Sequence, residues 1–178
     1  MSPPNGGNAR AESAQAQRLA ASYDRVRELA RRLLGSGGRS GGVDATDLVH
    51  ESYLRLESLA GFQDLGDGPF MALASTTIRH VLVDMARRQG TQKRGGHLER
   101  VTLNDCVDLG RGEPLDLLAL HDALERLAEL NARQAQVVEL RFFGGLDSAE
   151  IAAHLGVAER TVANDWTLAR AWLARRLA

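Results

Sequence analysis

Near the C-terminus a short stretch carries Glu159, Arg160, Thr161, Asn164 and Asp165, with Arg170 further along. Side chains of these types can read base edges in a DNA major groove. Arg donates a fork of hydrogen bonds to guanine, Asn pairs with adenine through both its groups, and a carboxylate accepts from cytosine. Val162, Trp166 and Ala169 recur between them at helical spacing, so the stretch reads as a helix with an apolar side and an open polar side. Metal chemistry is the competing possibility. His50-Glu51, His80 with Asp84 one helical turn later, and His121-Asp122 each join an imidazole to a carboxylate, and an i, i+4 pair of that kind can share a metal. The five histidines follow no known ligand spacing, however. No metal, no cofactor and no catalytic residue is therefore expected, and a metal-dependent hydrolase is set aside.

The polar helix needs a partner to present it, and the preceding residues supply one. Asp147 caps a helix with Glu150 at its third position, a reciprocal capping box. Ile151, Ala152 and Leu155 form its buried side, and Ala152 is small enough for a crossing helix to come close. Gly156 turns the chain, as only glycine does cheaply at positive φ, and Val157 fills the corner. This is the steric pattern of a helix-turn-helix over Asp147 to Leu173, with the second helix entering the groove. Ala158 stands where a Ser or Thr cap would normally start that helix, and the missing cap costs about 1 kcal/mol.

The rest of the chain reads as helices too. Residues 1–13 are rich in Pro, Gly, Asn and Ser and are expected to be disordered. A helix fits Ala14 to Leu34, with Leu19, Tyr23, Val26, Ala30 and Leu33 on one face; Gly35 to Gly42 then forms a flexible loop. Asp44 caps the next helix, on which Leu48, Ser52, Leu56 and Leu59 face inward. After a Gly61–Pro69 loop, a third helix runs from Phe70 to about Gln89, with Phe70, Leu73, Ala74, Thr77, Val81 and Met85 as its stripe. Residues 90–116 hold Gly90, Gly95, Gly96, Gly110, Gly112 and Pro114 and read as a linker of about 25 residues, long for a compact domain. A second helical block follows over 117–178, with Leu120, Leu124 and Leu127 on one helix and Val137, Val138 and Leu140 on the next. Asn131 and Gln134 start that helix, and Gly144 and Gly145 end it. No strand pattern is visible. The expected fold is all-α: two small helical domains, 14–89 and 117–178, joined by a flexible linker, with no further domain expected after Ala178.

The bulk numbers fit a globular protein, with 44% hydrophobic and 25% charged residues in 178. The formal net charge of −1 is not that of a protein that coats DNA by electrostatics alone. Cys106 is the single cysteine, so no internal disulfide forms, which fits a reducing cytoplasm. The N-terminus lacks the apolar core of a signal peptide, and no run is long enough to cross a bilayer. A cytoplasmic protein without membrane insertion is expected.

Three stretches in order resemble a bacterial sigma factor of the extracytoplasmic-function (ECF) group, over about Ala14 to Leu177. DATDLVHESYLRL resembles the acidic helix that grips the clamp helices of RNA polymerase. FMALASTTIRHVLVDMARRQ is similar to the helix that opens and reads the −10 promoter element, notably at Phe70, Arg79, Asp84, Arg87 and Arg88. LNARQAQVVELRFFGGLDSAEIAAHLGVAERTVANDW resembles the −35-reading domain. The sequence departs from the family at Leu73, Ser75 and Met85, where aromatics are common, at His80, where Asn is common, and at Ala163 and Asp165, where basic or small polar residues are common.

The resemblance implies a factor that binds core RNA polymerase and promoter DNA, with an anti-sigma protein admitted as a further partner. It implies three sets of residues. Asp47, His50, Glu51, Leu54 and Arg55 would face polymerase. Phe62, Arg79, His80, Arg87, Arg88, Lys93 and Arg94 would face the −10 DNA, Phe62 as an aromatic platform and the cations toward phosphates. Glu159, Arg160, Thr161, Asn164, Asp165 and Arg170 would face the −35 DNA, with Asp165 either accepting from cytosine as Glu159 can or orienting a neighbouring Arg. It also accounts for the near-neutral charge, because core polymerase supplies most of the attraction to DNA. The alternative is a helix-turn-helix regulator that acts without core polymerase and so binds its site tightly alone.

Overall fold

The computed structural model describes residues 20, 21, 23–35, 38–59, 61, 65–92, 102, 103 and 115–177. Helix α1 covers residues 23–34, and Val26, Ala30 and Leu33 on it are fully buried. The glycine-rich stretch after it is not simply a loop. Strands β1 (Arg39–Ser40) and β2 (Val43–Asp44) pair antiparallel, Arg39 opposite Asp44 and Ser40 opposite Val43. Gly41 and Gly42 have φ of 52° and 83°, the double positive φ that a two-residue hairpin turn needs. A sequence scan for alternation misses an element of two residues per strand.

Asp44 ends β2 and caps α2 (Ala45–Glu57), its carboxylate accepting from the Thr46 amide at 2.8 Å. Leu48, Ser52 and Leu56 are buried as their spacing predicts. Leu59 is not: the helix ends at Glu57, and Leu59 lies beyond it, 42% exposed. Helix α3 (Asp67–Gln92) is longer than the expected Phe70 to Gln89 because Pro69 falls in its first turn, where a missing amide hydrogen costs no helical bond. It is also buried nearly all round. Beyond Phe70, Ala74, Thr77 and Val81, it buries Met71, Ser75, Ile78, Arg79, Leu82, Val83 and Ala86. A helix of this kind has neighbours on several sides, and α3 packs against α2 and against three helices of the C-terminal half.

Strands β3 (Thr102–Leu103) and β4 (Leu115–Asp116) form a second two-residue ladder, so the expected linker contains paired backbone at both positions. Asp116 then caps α4 (Leu117–Leu130), accepting from Ala119 at 3.0 Å. Asn131 caps α5 (Ala132–Phe142) through the Gln134 amide. Helix α6 (Ser148–Leu155) starts in the full Asp147/Glu150 capping box and ends at Gly156, φ 66°. Helix α7 (Glu159–Arg176) starts at Ala158 with no side-chain cap. Val162, Ala169 and Leu173 of α7 are completely buried in the C-terminal core with Ile151, Val137, Val138 and Phe142. The two halves are not separate bodies on a string: α3 lies directly on α4, α5 and α6. Among the described residues no helix is long and apolar enough to cross a membrane.

The bare start of α7 sets a testable margin. Ala158 has the extended backbone of an N-cap, φ −75° and ψ 147°, so a serine hydroxyl there reaches the free amides without strain. Ala158→Ser is expected to stabilise the chain by about 0.5–1 kcal/mol, and Asp147→Ala to destabilise it by about 1 kcal/mol. Urea unfolding of the full chain followed by circular dichroism measures both.

Candidate functional site

The expected polymerase-facing residues share one side of α2. Asp47, His50 and Leu54 are exposed, Leu54 by 53%. Glu51 and Arg55 are half-buried because α3 comes alongside. Arg55 donates to Asp84 at 2.7 Å, Arg88 donates to Glu51 at 2.8 Å, and Arg55 lies 4.0 Å from Glu51. A ladder of alternating charge thus joins the expected polymerase-facing and −10-facing sets. It holds the Asp84 carboxyl below its ordinary range, first through the Arg55 hydrogen bond. Arg87 and His80 are exposed on α3. With Arg55, Val83, Asp84, His121 and Glu125 they line a polar crevice of about 380 Å³ between α2, α3 and α4. Phe62, Lys93 and Arg94 lie outside the described residues.

Arg79 departs from expectation. It is only 7% exposed and turns away from solvent into the seam between the two halves. Its Nε donates to Glu139 on α5 at 2.9 Å, and one Nη donates to Glu125 on α4 at 2.7 Å. The same Nη lies 2.8 Å from Nδ1 of His121. Burial opposes the charge, but Glu139 and Glu125 more than offset it and raise the Arg79 pKa. Arg79 is therefore engaged by its own chain here and has no open path to phosphate. Sequence reasoning left out Glu125 and Glu139, which sit 46 and 60 residues away.

More of the seam follows the same logic. Arg25 of α1 donates to Glu150 of α6 at 2.9 Å, and Arg32 donates to the Phe142 carbonyl at 3.4 Å. The turn after α5 presses in between. A Cβ on Gly145 would fall 2.6 Å from Leu29 Cδ2 and 2.8 Å from an Arg32 nitrogen, and one on Gly144 would meet Ser75 Cβ at 3.1 Å. Two glycines that sequence reading placed merely as helix terminators also let the halves touch.

On α7 the expected −35-facing residues divide. Glu159, Arg160 and Asn164 are exposed, Thr161 and Arg170 half-buried. Asp165 was expected on the open face, to accept from cytosine or to orient a neighbouring Arg; it is 3% exposed, off that face, and paired with Arg133 of α5, whose Nε donates to Oδ2 at 2.6 Å. Position 165 borders the apolar stripe, so burial was open to it once a cation arrived to meet the carboxylate. Trp166, half-buried, lies beneath the Arg141 guanidinium at 4.9 Å from the ring centroid. His50, His80 and His121 gather no ligand set: among the described residues no group of three or more His, Cys, Asp and Glu could hold a metal ion.

The His121 imidazole beside Arg79 makes the seam sensitive to acid. Burial first, and Arg79 second, push its pKa below 6.5, with the Glu125 charge opposing them. The separated state therefore takes up the proton first, so the contact has its full strength above pH 6.5 and weakens as pH falls below it. Glu125, whose carboxyl is lowered from 4.5 mainly by the Arg79 hydrogen bond, stays charged through this window. Fluorescence transfer between dyes on α2 and α7 is expected to fall between pH 7.5 and 5.5. His121→Asn should flatten that response.

The sequence model of the family described as ECF sigma factor matches residues 6–178. No curated protein matches the chain. Among solved structures, the chain is similar to one in the co-crystal structure of the sigma factor RpoE in complex with the anti-sigma factor NepR from Bartonella quintana. The two share 23% identity over 91% of this chain and 95% of that one, with a TM-score of 0.41. The family match spans both helical halves, the one with the α2–α3 charge ladder and the one with the helix-turn-helix. This chain belongs to the ECF sigma factor family, whose members act in transcription initiation and are not enzymes.

Proposed function

We propose that the chain works in the cytoplasm as two functional units, 14–89 and 117–178 with 90–116 between them. In this reading α2 meets core RNA polymerase, α3 with its preceding loop opens the −10 element, and α7 reads the −35 element. The observation that carries the assignment is the division of α7. Val162, Ala169 and Leu173 are sealed in the core while Glu159, Arg160 and Asn164 stand open on the first two turns. A recognition helix needs that division, since its N-terminal side chains enter the groove. Arg160 and Asn164 are the base readers, Glu159 and Thr161 flank them, and Arg170 is placed for phosphate. Phe62, His80, Arg87, Arg88, Lys93 and Arg94 are assigned to the −10 DNA. Core polymerase and promoter DNA are the partners, with an anti-sigma protein as a candidate regulator.

Arg79 joins the −10 set only when the halves part. Elements centred about 25 base pairs apart lie roughly 85 Å apart along B-DNA at 3.4 Å per pair. Helix α3, the longest described, spans only about 39 Å at 1.5 Å per residue. A chain folded with α3 against α5 cannot reach both elements, so binding to polymerase must separate what Arg79 holds together. The near-neutral chain alone is then a weak DNA binder.

Run-off transcription with purified core polymerase tests the α7 assignment. Arg160→Ala and Asn164→Ala are each expected to cost about 1–3 kcal/mol at the cognate promoter and to change the preferred upstream bases. Unchanged selectivity in both removes α7 from the −35 element. A mobility shift showing tight, specific binding by the lone chain at physiological salt would contradict the requirement for polymerase.

For α2, Leu54 offers an apolar side chain that is 53% exposed. Leu54→Glu is expected to weaken core polymerase binding by about 1 kcal/mol or more, since it would bury a charge against an apolar partner surface. Titration of labelled chain with core polymerase measures it, with unaltered thermal unfolding as the control.

A further inference from the structure

Two arginines of α5 grip α7, one at each edge of its buried stripe. Successive helical residues turn by about 100°, which places Asp165 on one side of the Val162–Ala169–Leu173 line and Trp166 on the other. Arg133 closes on Asp165 as a fork: Nε donates to Oδ2 at 2.6 Å and a terminal nitrogen to Oδ1 at 3.4 Å. The Asp165 side chain is 4% exposed, while that of Arg133 is 48% exposed. Arg141, two turns further along α5, covers the Trp166 ring and donates to Ser148 at the start of α6 at 3.1 Å.

The apolar seat of α7 is a narrow line. Val162, Ala169 and Leu173 are fully buried along it, Trp166, Trp172 and Leu177 pack half-buried beside them, and its start has no cap. Such a seam resists separation better than it resists rolling. Rolling matters here: side chains end roughly 5–6 Å from a helix axis, so a roll of about 20° moves them by roughly 2 Å. N–H···O bonds cluster at about 2.7–3.2 Å, so a shift of roughly 2 Å breaks base contacts while leaving the core largely intact. Of the two grips, only the one on Asp165 has fixed directional geometry, because a guanidinium fork fits a carboxylate in one plane.

We propose that Arg133 and Asp165 act as a pair of positioning residues that set the roll of α7, and through it base selectivity, with Asp165 reading no base itself. The inference rests on α7 being the −35 reader. A direct contact from Asp165 to cytosine would need the carboxylate in solvent, where it is not.

The test uses the full chain assembled with core polymerase. Templates from a promoter that this holoenzyme transcribes are randomised across the upstream element and selected by transcription, and the winners are sequenced. Asp165→Asn keeps the side-chain shape, and Arg133→Gln removes the half-exposed cation that meets it. Each is expected to flatten preference across several adjacent base pairs, with discrimination against single mismatches falling about tenfold. The double variant should be no worse than either alone, because the pair acts as one unit. Core affinity and helicity should stay within twofold and within error of the wild type. Should either variant unfold, Arg133→Lys still reports, because it keeps a cation beside the buried Asp165 carboxylate and removes only the fork. A changed preference at one base pair in Asp165→Asn, with Arg133→Gln normal, would make Asp165 a direct reader and overturn the proposal. Additive losses in the double variant, or full selectivity in both single variants, would overturn it too. If the wild type itself shows no upstream preference, the underlying reading of α7 fails instead, which is a different result from any of these.

Discussion

A guanidinium cannot shed its charge inside a protein, so burying Arg79 obliges the rest of the chain to surround it with carboxylates. Glu139 and Glu125 come from two helices of the other half, and among the described residues no carboxylate nearer in sequence pairs with Arg79. Removing one partner of such a buried pair typically costs about 3–5 kcal/mol, while the intact pair contributes little over an apolar contact. The pair therefore specifies which surfaces meet more than it drives them together. Apolar burial along α3 provides the adhesion, and Arg79 selects the register.

That register propagates outward. With α3 fixed against α5, the Gly144–Gly145 turn must lie over Leu29, Arg32 and Ser75, and its lack of side chains is what lets it fit. Arg25 can then meet Glu150, whose other oxygen accepts from the Asp147 amide in the capping box of α6. One residue thus serves both a local helix start and a contact between halves. The packing of α6 in turn supports α7 from below, while Arg133 and Arg141 hold it from the side. The polar ladder of Arg88, Glu51, Arg55 and Asp84 lies at the outer edge, where solvent screens it and each pair contributes little.

Much of this was legible in the sequence, for identifiable reasons. Local signals translated faithfully: the Asp44, Asn131 and Asp147 caps, the Gly156 turn, the α4 stripe, Val26, Ala30 and Leu33 of α1, and Val162 and Ala169 of α7 depend on residues within one or two turns of each other, while Tyr23 and Trp166 are half-buried and Leu19 lies outside the described residues. Leu59 failed because periodicity does not announce where a helix stops. The two small ladders failed because two residues per strand show no alternation. The burial of Arg79 and Asp165 went unforeseen for a deeper reason. A charged residue beside an apolar stripe looks solvent-facing unless its counter-ion is known, and here the counter-ions lie on other helices. Helix α3 did carry a hint, since Met71, Ile78, Leu82 and Val83 lie outside its predicted stripe, and apolar residues on every side imply a second neighbour. The open residues of α7 and α2 were found because exposed polar and apolar side chains at helical spacing need no distant partner to be recognised.

The pairing of Arg25 with Glu150 at the rim, where both side chains are 40% exposed, brings dissolved ions into the account. Screening acts over about 8 Å at physiological ionic strength, so added salt loosens this rim contact while leaving the sheltered Arg79 pair almost untouched. The same ions compete with cationic side chains for phosphate, and that loss grows steeply with concentration. Dilute buffer favours contact with DNA but also favours the chain clasping itself. Concentrated buffer relaxes the clasp and weakens the grip on DNA. Under the proposed opening, promoter engagement meets two opposing ionic responses, which places its best working salt between the extremes.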